Sequence, residues 1–173
     1  DPAPTGASGQ TQYAVFAAGC FWGVELAFAR LPGVLYTDVG YTGGTTESPT
    51  YTTVSRGTTG HAEAVRIGYD PSLISYEMLL DVFFDCHDPT TRNRQGNDVG
   101  TQYRSAIFYA TPEERAAAEA AAATFSERTG RSVATTMEAF ETFYPAEGYH
   151  QQYLARLGQS DAKGETAPIR CYG

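Results

Sequence analysis

The chain has 173 residues and a mass of 18.7 kDa, with 12 basic and 20 acidic side chains and a net charge of −8; this length suits one domain of the usual ~100–200 residues. Lys163 is the only lysine, so no basic stripe exists to release counterions from a phosphate backbone, and nucleic acid and acidic membrane surfaces are excluded as expected partners. The longest apolar stretch, residues 13–24, has 12 positions, where a membrane helix needs ~18.

Cys20, Cys86 and Cys171 are an odd number spaced 66 and 85 residues apart, neither a dense secreted disulfide framework nor zinc-ligand spacing. They read as thiols of a reducing compartment. Without a charged n-region and apolar h-region, and opening on Asp1 in place of Met, the chain reads as a processed or trimmed form.

Residues 1–12, rich in Pro, Gly, Ser and Thr, read as a flexible lead-in. Residues 13–18 suit a buried strand, and from Phe21 to Leu31 the apolar spacing suits a helix closed by Pro32-Gly33, with Cys20 in the tight turn between them. A β-branched and aromatic strand over 34–41 leads into a Gly/Thr-rich loop over 42–59. Residues 61–69 then alternate, with Glu63, Val65, Ile67 and Tyr69 on the face expected to bury. Ser75 caps a helix whose Tyr76, Leu79, Leu80, Phe83 and Phe84 form one apolar stripe ending near His87.

Residues 90–100 read as a polar loop and 101–109 as a strand. Thr111-Pro112-Glu113-Glu114 is a capping box with proline at the first helical position, opening an alanine-rich helix to Arg128 with Gly130 as its stop. Residues 133–143 read as a strand with its trailing segment, 146–157 as a helix, and 158–173 as an irregular, flexible tail carrying Cys171. Strands and helices alternate irregularly, which favours an α+β two-layer domain over a doubly wound sheet.

Three features point to chemistry. Cys20, after a glycine and before a helix, would meet unpaired backbone N–H groups and the positive end of the helix dipole, a setting that lowers a thiol pKa; the alternative is a structural cysteine. Phe21 and Trp22, the only tryptophan, follow it and could cup a small apolar group, or simply pack the core. Glu63 shares its face with residues that bury, so desolvation would keep it protonated as a proton donor, unless it reaches solvent or an arginine at the strand end. Asp98, Tyr103 and Tyr51 could hydrogen-bond a polar substrate from the two loops. The three histidines show neither HExxH nor Cys/His spacing, so no metal is implied, and no cofactor. Cys86 reads as packing.

Five motifs in order, Gly19-Cys20-Phe21-Trp22-Gly23, Gly60-His61-Ala62-Glu63, His87-Asp88-Pro89-Thr90, Gln95-Gly96-Asn97-Asp98-Val99-Gly100-Thr101-Gln102-Tyr103-Arg104-Ser105 and Phe143-Tyr144-Pro145-Ala146-Glu147-Gly148-Tyr149-His150-Gln151-Gln152-Tyr153, resemble the A-type peptide methionine sulfoxide reductases over residues 13–157. The ending Pro168-Ile169-Arg170-Cys171-Tyr172-Gly173 is similar to plant-type members.

The resemblance implies a ferredoxin-like two-layer sandwich with a mixed or antiparallel sheet over residues 13–157. Cys20 would attack the sulfur of a methionine S-sulfoxide while Glu63, aided by Tyr51 and Tyr103, protonates the oxygen; Phe21 and Trp22 would hold the methyl group and Asp98 orient the pocket. Cys171 would resolve the sulfenic acid as a disulfide reduced by thioredoxin, with Cys86 a lesser alternative. Plant-type relatives often carry another tail cysteine a few residues upstream, which Lys163-Gly164-Glu165-Thr166 lacks. A monomer in the cytoplasm or plastid stroma is expected. The competing readings are a cysteine hydrolase with His61 or His150 as base, and an aromatic-rich binding module.

Overall fold

A computed structural model describes residues 11–170. Its centre is β1 (Gln12–Ala18), paired antiparallel with β3 (Ala62–Tyr69) on one side and with β6 (Ser105–Tyr109) on the other. β2 (Val34–Thr42) lies antiparallel beyond β3, and two short edge strands finish the sheet: β7 (Thr136–Ala139), parallel to β6, and β8 (Phe143–Pro145), antiparallel to β2. The order is β7-β6-β1-β3-β2-β8. Helices α1 (Phe21–Ala29), α3 (Tyr76–Asp85) and α4 (Pro112–Thr129) complete the main framework, and a single turn, α2 (Tyr51–Ser55), sits between β2 and β3.

The main core joins one sheet face, including Phe16, Tyr41, Val65, Ile67 and Ile107, to apolar stripes of α1, α3 and α4. Phe28 and Phe83 both close on Phe16, at ring separations of 5.6 and 5.1 Å. The even-numbered face of β3 is also covered: Ala62 and Ala64 join Val15, Ala17, Ala106 and Phe108 under Phe140 and Phe143. Small side chains let the covering loop approach closely, and Arg66 stays partly exposed by stacking over Phe143 at 4.6 Å while its guanidinium forks onto Asp38.

Local signals set the helix ends. Ser75 accepts from Met78 N and Thr111 from Glu114 N, while Gly130 closes α4 in the left-handed region at φ 71°. The Glu114 carboxylate reaches Ala110 N, one residue before the position a capping box requires.

Three expectations differ. The 42–59 loop contains α2, whose capping box is closed reciprocally by Thr50 and Thr53. The 90–100 loop holds a small hairpin, β4 (Arg94–Gln95) with β5 (Asp98–Val99), and the strand expected from residue 101 begins at Ser105 after a 3-10 turn over Thr101–Tyr103. The 133–143 segment is, as expected, a strand, β7, with a trailing segment that leads into β8. The helix expected over 146–157 is only a 3-10 turn, Gly148–His150, and one helical turn, α5 (Tyr153–Arg156). The cause of this last break is polar: Gln151 bonds both backbone groups of Val39, and Gln152 bonds Glu25. These bonds compete with a helical ladder.

Residues 158–170 are irregular, as composition predicts, yet they are tied to the helix layer. Buried Arg30 donates to the carbonyls of Ser160 (2.8 Å) and Ala167 (2.7 Å), and Lys163 donates to Ala29 and Val34 around the C-terminal end of α1, both at 2.7 Å. A cation at that end meets both unsatisfied carbonyls and the negative end of the dipole.

Candidate active site

Gly19 turns the chain from β1 into α1 at φ +94°, where a Cβ would also meet Gln95 Cγ at 2.8 Å. Both facts favour glycine and let the β4–β5 hairpin pack on the turn. Cys20 follows as the residue capping α1, and the next backbone N–H, that of Phe21, donates to Glu63 Oε1 at 3.2 Å. β3 thus delivers its acid to the beginning of α1.

Glu63 is 1% exposed, and burial pushes its carboxyl up to about 8; the Phe21 N–H pulls against this and the charge of Asp98 adds to it. At neutral pH it is a carboxylic acid. The Tyr51 phenol is raised by burial and then by the charges of Glu63 and Cys20, and the Tyr103 phenol is raised by burial and by Glu63, Tyr51, Asp98 and Cys20. Both phenols thus sense Glu63 and Cys20, and both hold their protons. Asp98 lines the same groove as Cys20, on the hairpin that packs against Gly19.

An aromatic wall stands on the other side. Phe21 lies 5.7 Å from Tyr41 and 6.5 Å from Tyr51, and Trp22 stacks on Tyr153 at 4.0 Å and on Tyr51 at 6.5 Å. His150 sits among these rings, 4.5 Å from Tyr51, and its Nδ1 accepts from Trp22 Nε1 at 2.9 Å. Glu147 joins the wall from beneath: Oε1 accepts from the buried Tyr41 hydroxyl and Oε2 from Tyr51 N, both at 2.9 Å. Sequence reasoning assigned no role to Tyr41, Glu147 or Tyr153. Glu147 and Tyr153 lie in the Phe143–Tyr153 motif, but their partners are 96 to 131 residues away, beyond any local pattern.

Each histidine has hydrogen-bond partners of its own. His61 bonds Gly44 N and Thr46 O through its two ring nitrogens, and His150 Nδ1 holds the indole, so neither is arranged as a hydrolase base. His87, bonded to Phe83 O and Ser105 Oγ, is driven down to about 4 by burial and is neutral. Among the described residues no three His, Cys, Asp or Glu side chains are placed to hold a metal ion, and no helix is long and apolar enough to cross a membrane.

Cys86 lines the groove of Cys20. Although the residue is exposed, its sulfur turns back on α3 to donate to Phe83 O at 3.4 Å, and burial of the thiol pushes it up to about 12. It is protonated and a poor nucleophile. Cys171 lies outside the described residues. Thr166, Ala167 and Ile169 line the groove with Cys20, so the chain arrives there just before it.

A family model described as peptide methionine sulfoxide reductase matches residues 12–170. A peptide methionine sulfoxide reductase of Lactuca sativa is 55% identical over 167 residues, covering 94% of this chain and 64% of that protein; this chain therefore spans under two thirds of its length. The peptide methionine sulfoxide reductase A3 of Arabidopsis thaliana is 53% identical, covering 94% of this chain and 83% of its own. Among solved structures, Mxr1 of Saccharomyces cerevisiae in reduced form superposes with a TM-score of 0.82 at 35% identity, covering 87% of each chain. The chain belongs to the A-type peptide methionine sulfoxide reductases.

Proposed function

We propose that this chain reduces methionine S-sulfoxide, free or within proteins, to methionine and so repairs oxidised proteins. One observation carries the reading: a cysteine at a helix start sits beside a fully buried, protonated carboxylic acid. A sulfoxide oxygen leaves poorly until protonated, so a thiol nucleophile needs a neutral acid as its partner rather than a basic histidine. The Cys20 thiolate attacks the sulfoxide sulfur, and Glu63 supplies a proton to the oxygen with the Tyr51 and Tyr103 hydroxyls donating to it. The oxygen passes to Cys20 as a sulfenic acid and methionine leaves. Phe21 and Trp22 hold the methyl group, and Asp98 orients the polar side of the pocket.

Cys171 then condenses with the sulfenic acid, releasing water and forming a Cys20–Cys171 disulfide, which a thioredoxin dithiol reduces by exchange. The tethered path of residues 159–170 into the groove supports this assignment over Cys86. The β1-α1-β2-β3-α3-β6 succession with strand order β6-β1-β3-β2 supports a ferredoxin-like core, here extended by the edge strands β7 and β8, with residues 13–157 as the catalytic domain. The protein is proposed to act as a monomer, in cytoplasm or plastid stroma.

The deciding experiment is mass spectrometry after one equivalent of S-sulfoxide. It should show one methionine formed and Cys20 bridged to Cys171. Absence of methionine sinks the reductase reading, and a Cys20–Cys86 bridge reassigns the second thiol.

A further inference from the structure

Five residues beyond the thiol, α1 carries a buried acid that the chemistry above does not use. Glu25 is 2% exposed, and all three of its hydrogen bonds are received. Thr37 Oγ1 donates to Oε2 at 2.9 Å, while Gln152 donates from its backbone N to Oε1 at 2.9 Å and from Nε2 to Oε2 at 2.7 Å. Three converging donors are the partners of a carboxylate, the form that burial confines to pH above about 7. Stripped of these partners, a carboxylate so withdrawn from water is strongly disfavoured.

The bonds have a geometric consequence. Gln152 sits at φ 51°, the left-handed region that a residue with a side chain seldom occupies, and this is the point where the helix expected over 146–157 breaks. It lies between the partners of Trp22: His150, two residues before, accepts the indole N–H, and Tyr153, the next residue, stacks on the ring. Trp22 and Glu25, three residues apart on α1, lie on one helix face. Glu25 therefore holds, from the helix that carries Trp22, the residue between the two groups that hold Trp22.

We propose that Glu25 is a positioning residue of the reductase site, locking the 150–153 segment onto α1 so that the Trp22 ring is set where the substrate's methyl group is received. The inference rests on the reductase reading. The Phe21–Glu63 bond ties the helix start after Cys20 to the acid without passing through Glu25, so loosening Glu25 frees the ring while that contact stays. That is the signature of binding lost equally from ground and transition states, a change in KM and not in kcat.

The test uses the full chain at pH 8 with Glu25→Gln and Gln152→Ala, reading single-turnover reduction of an S-sulfoxide peptide across its concentration and the emission of the one tryptophan. We expect Glu25→Gln to raise the half-saturating concentration about tenfold while the limiting rate stays within about twofold, with emission shifting to the red; Gln152→Ala follows in the same direction. Phe125→Leu on the remote α4 is the control for general destabilisation and should move neither reading. Lower thermal stability with unchanged emission and half-saturation overturns the proposal, as does a fall confined to the limiting rate. If Glu25→Gln fails to fold, Gln152→Ala, at a residue that is exposed overall, decides alone. If the parent chain forms no methionine, the reductase reading fails, and an unchanged Trp22 emission in these variants still overturns the lock.

Discussion

The backbone N–H of Phe21 donates to Glu63 Oε1 at 3.2 Å, tying the first helical residue after Cys20 to the acid on β3. The bond stabilises the charged carboxylate, but burial opposes it more strongly, and the balance leaves Glu63 protonated up to about pH 8. Thiol and proton donor are thus held by one contact between a helix start and a central strand.

Glu63→Gln keeps an acceptor for Phe21 N and removes the proton. The first-turnover rate should fall about 10²- to 10⁴-fold. In the parent, the same rate should decline as pH passes about 8, and in the variant this limb should vanish. A parent profile that stays flat well beyond pH 8 removes Glu63 from the acid role.

The same residue sets a stability trend. Glu63 is raised from 4.5 to about 8 and Glu25 from 4.5 to about 7, so the native state holds both protons more tightly than the unfolded chain. Their contribution is fully present below about pH 4.5 and is lost as pH rises through 7 and 8. Glu63→Gln escapes its share, several kcal/mol at ~1.4 kcal/mol per unit. Its Tm should exceed the parent's on the alkaline side of pH 8 and match it near pH 5; an equal Tm difference at both ends contradicts the burial argument.

Glu147→Ala strips the acceptor from the fully buried Tyr41 hydroxyl and from Tyr51 N. Each orphaned group costs about 1–3 kcal/mol, so denaturant midpoints should fall clearly. With Tyr51 no longer anchored, half-saturation by sulfoxide should rise as well, and unchanged binding would mean that Tyr51 is held by ring packing alone.

Arg30→Met releases the carbonyls of Ser160 and Ala167 while keeping the aliphatic stem. Freed from its anchor, the tail should present Cys171 to Cys20 at a lower effective concentration, slowing disulfide formation and thioredoxin-driven turnover about tenfold. Methionine release in the first turnover should be unaltered. Full recycling in this variant would show that the tether does not deliver the thiol.

Cys20→Ser should abolish methionine formation, whereas Cys171→Ser should yield one methionine per chain and then stop. Sustained turnover by the second variant, with thioredoxin supplied, removes Cys171 from the cycle.

The elements governed by local pattern were legible in the sequence. The apolar stripe of α3, the Ser75 cap, the Thr111–Gly130 limits of α4, the turn at Gly19 and the alternation that turns Glu63 inward all depend on neighbours within a few residues. Cys20, Glu63, Tyr51, Tyr103 and Asp98 were likewise named from motif and chemistry. What tertiary structure alone decided is how distant polar groups pair. The 146–157 segment has the composition of a helix, but Gln151, Gln152 and Glu147 find partners on β2, α1 and α2, and these bonds outweigh the helical ladder. The tail was expected to be loose because its composition offers no core, yet a buried guanidinium and the lone lysine meet its backbone and the end of α1. Both outcomes follow from one cause: a buried polar group must find its complement wherever the fold places it, and that place is set by topology rather than by nearby sequence.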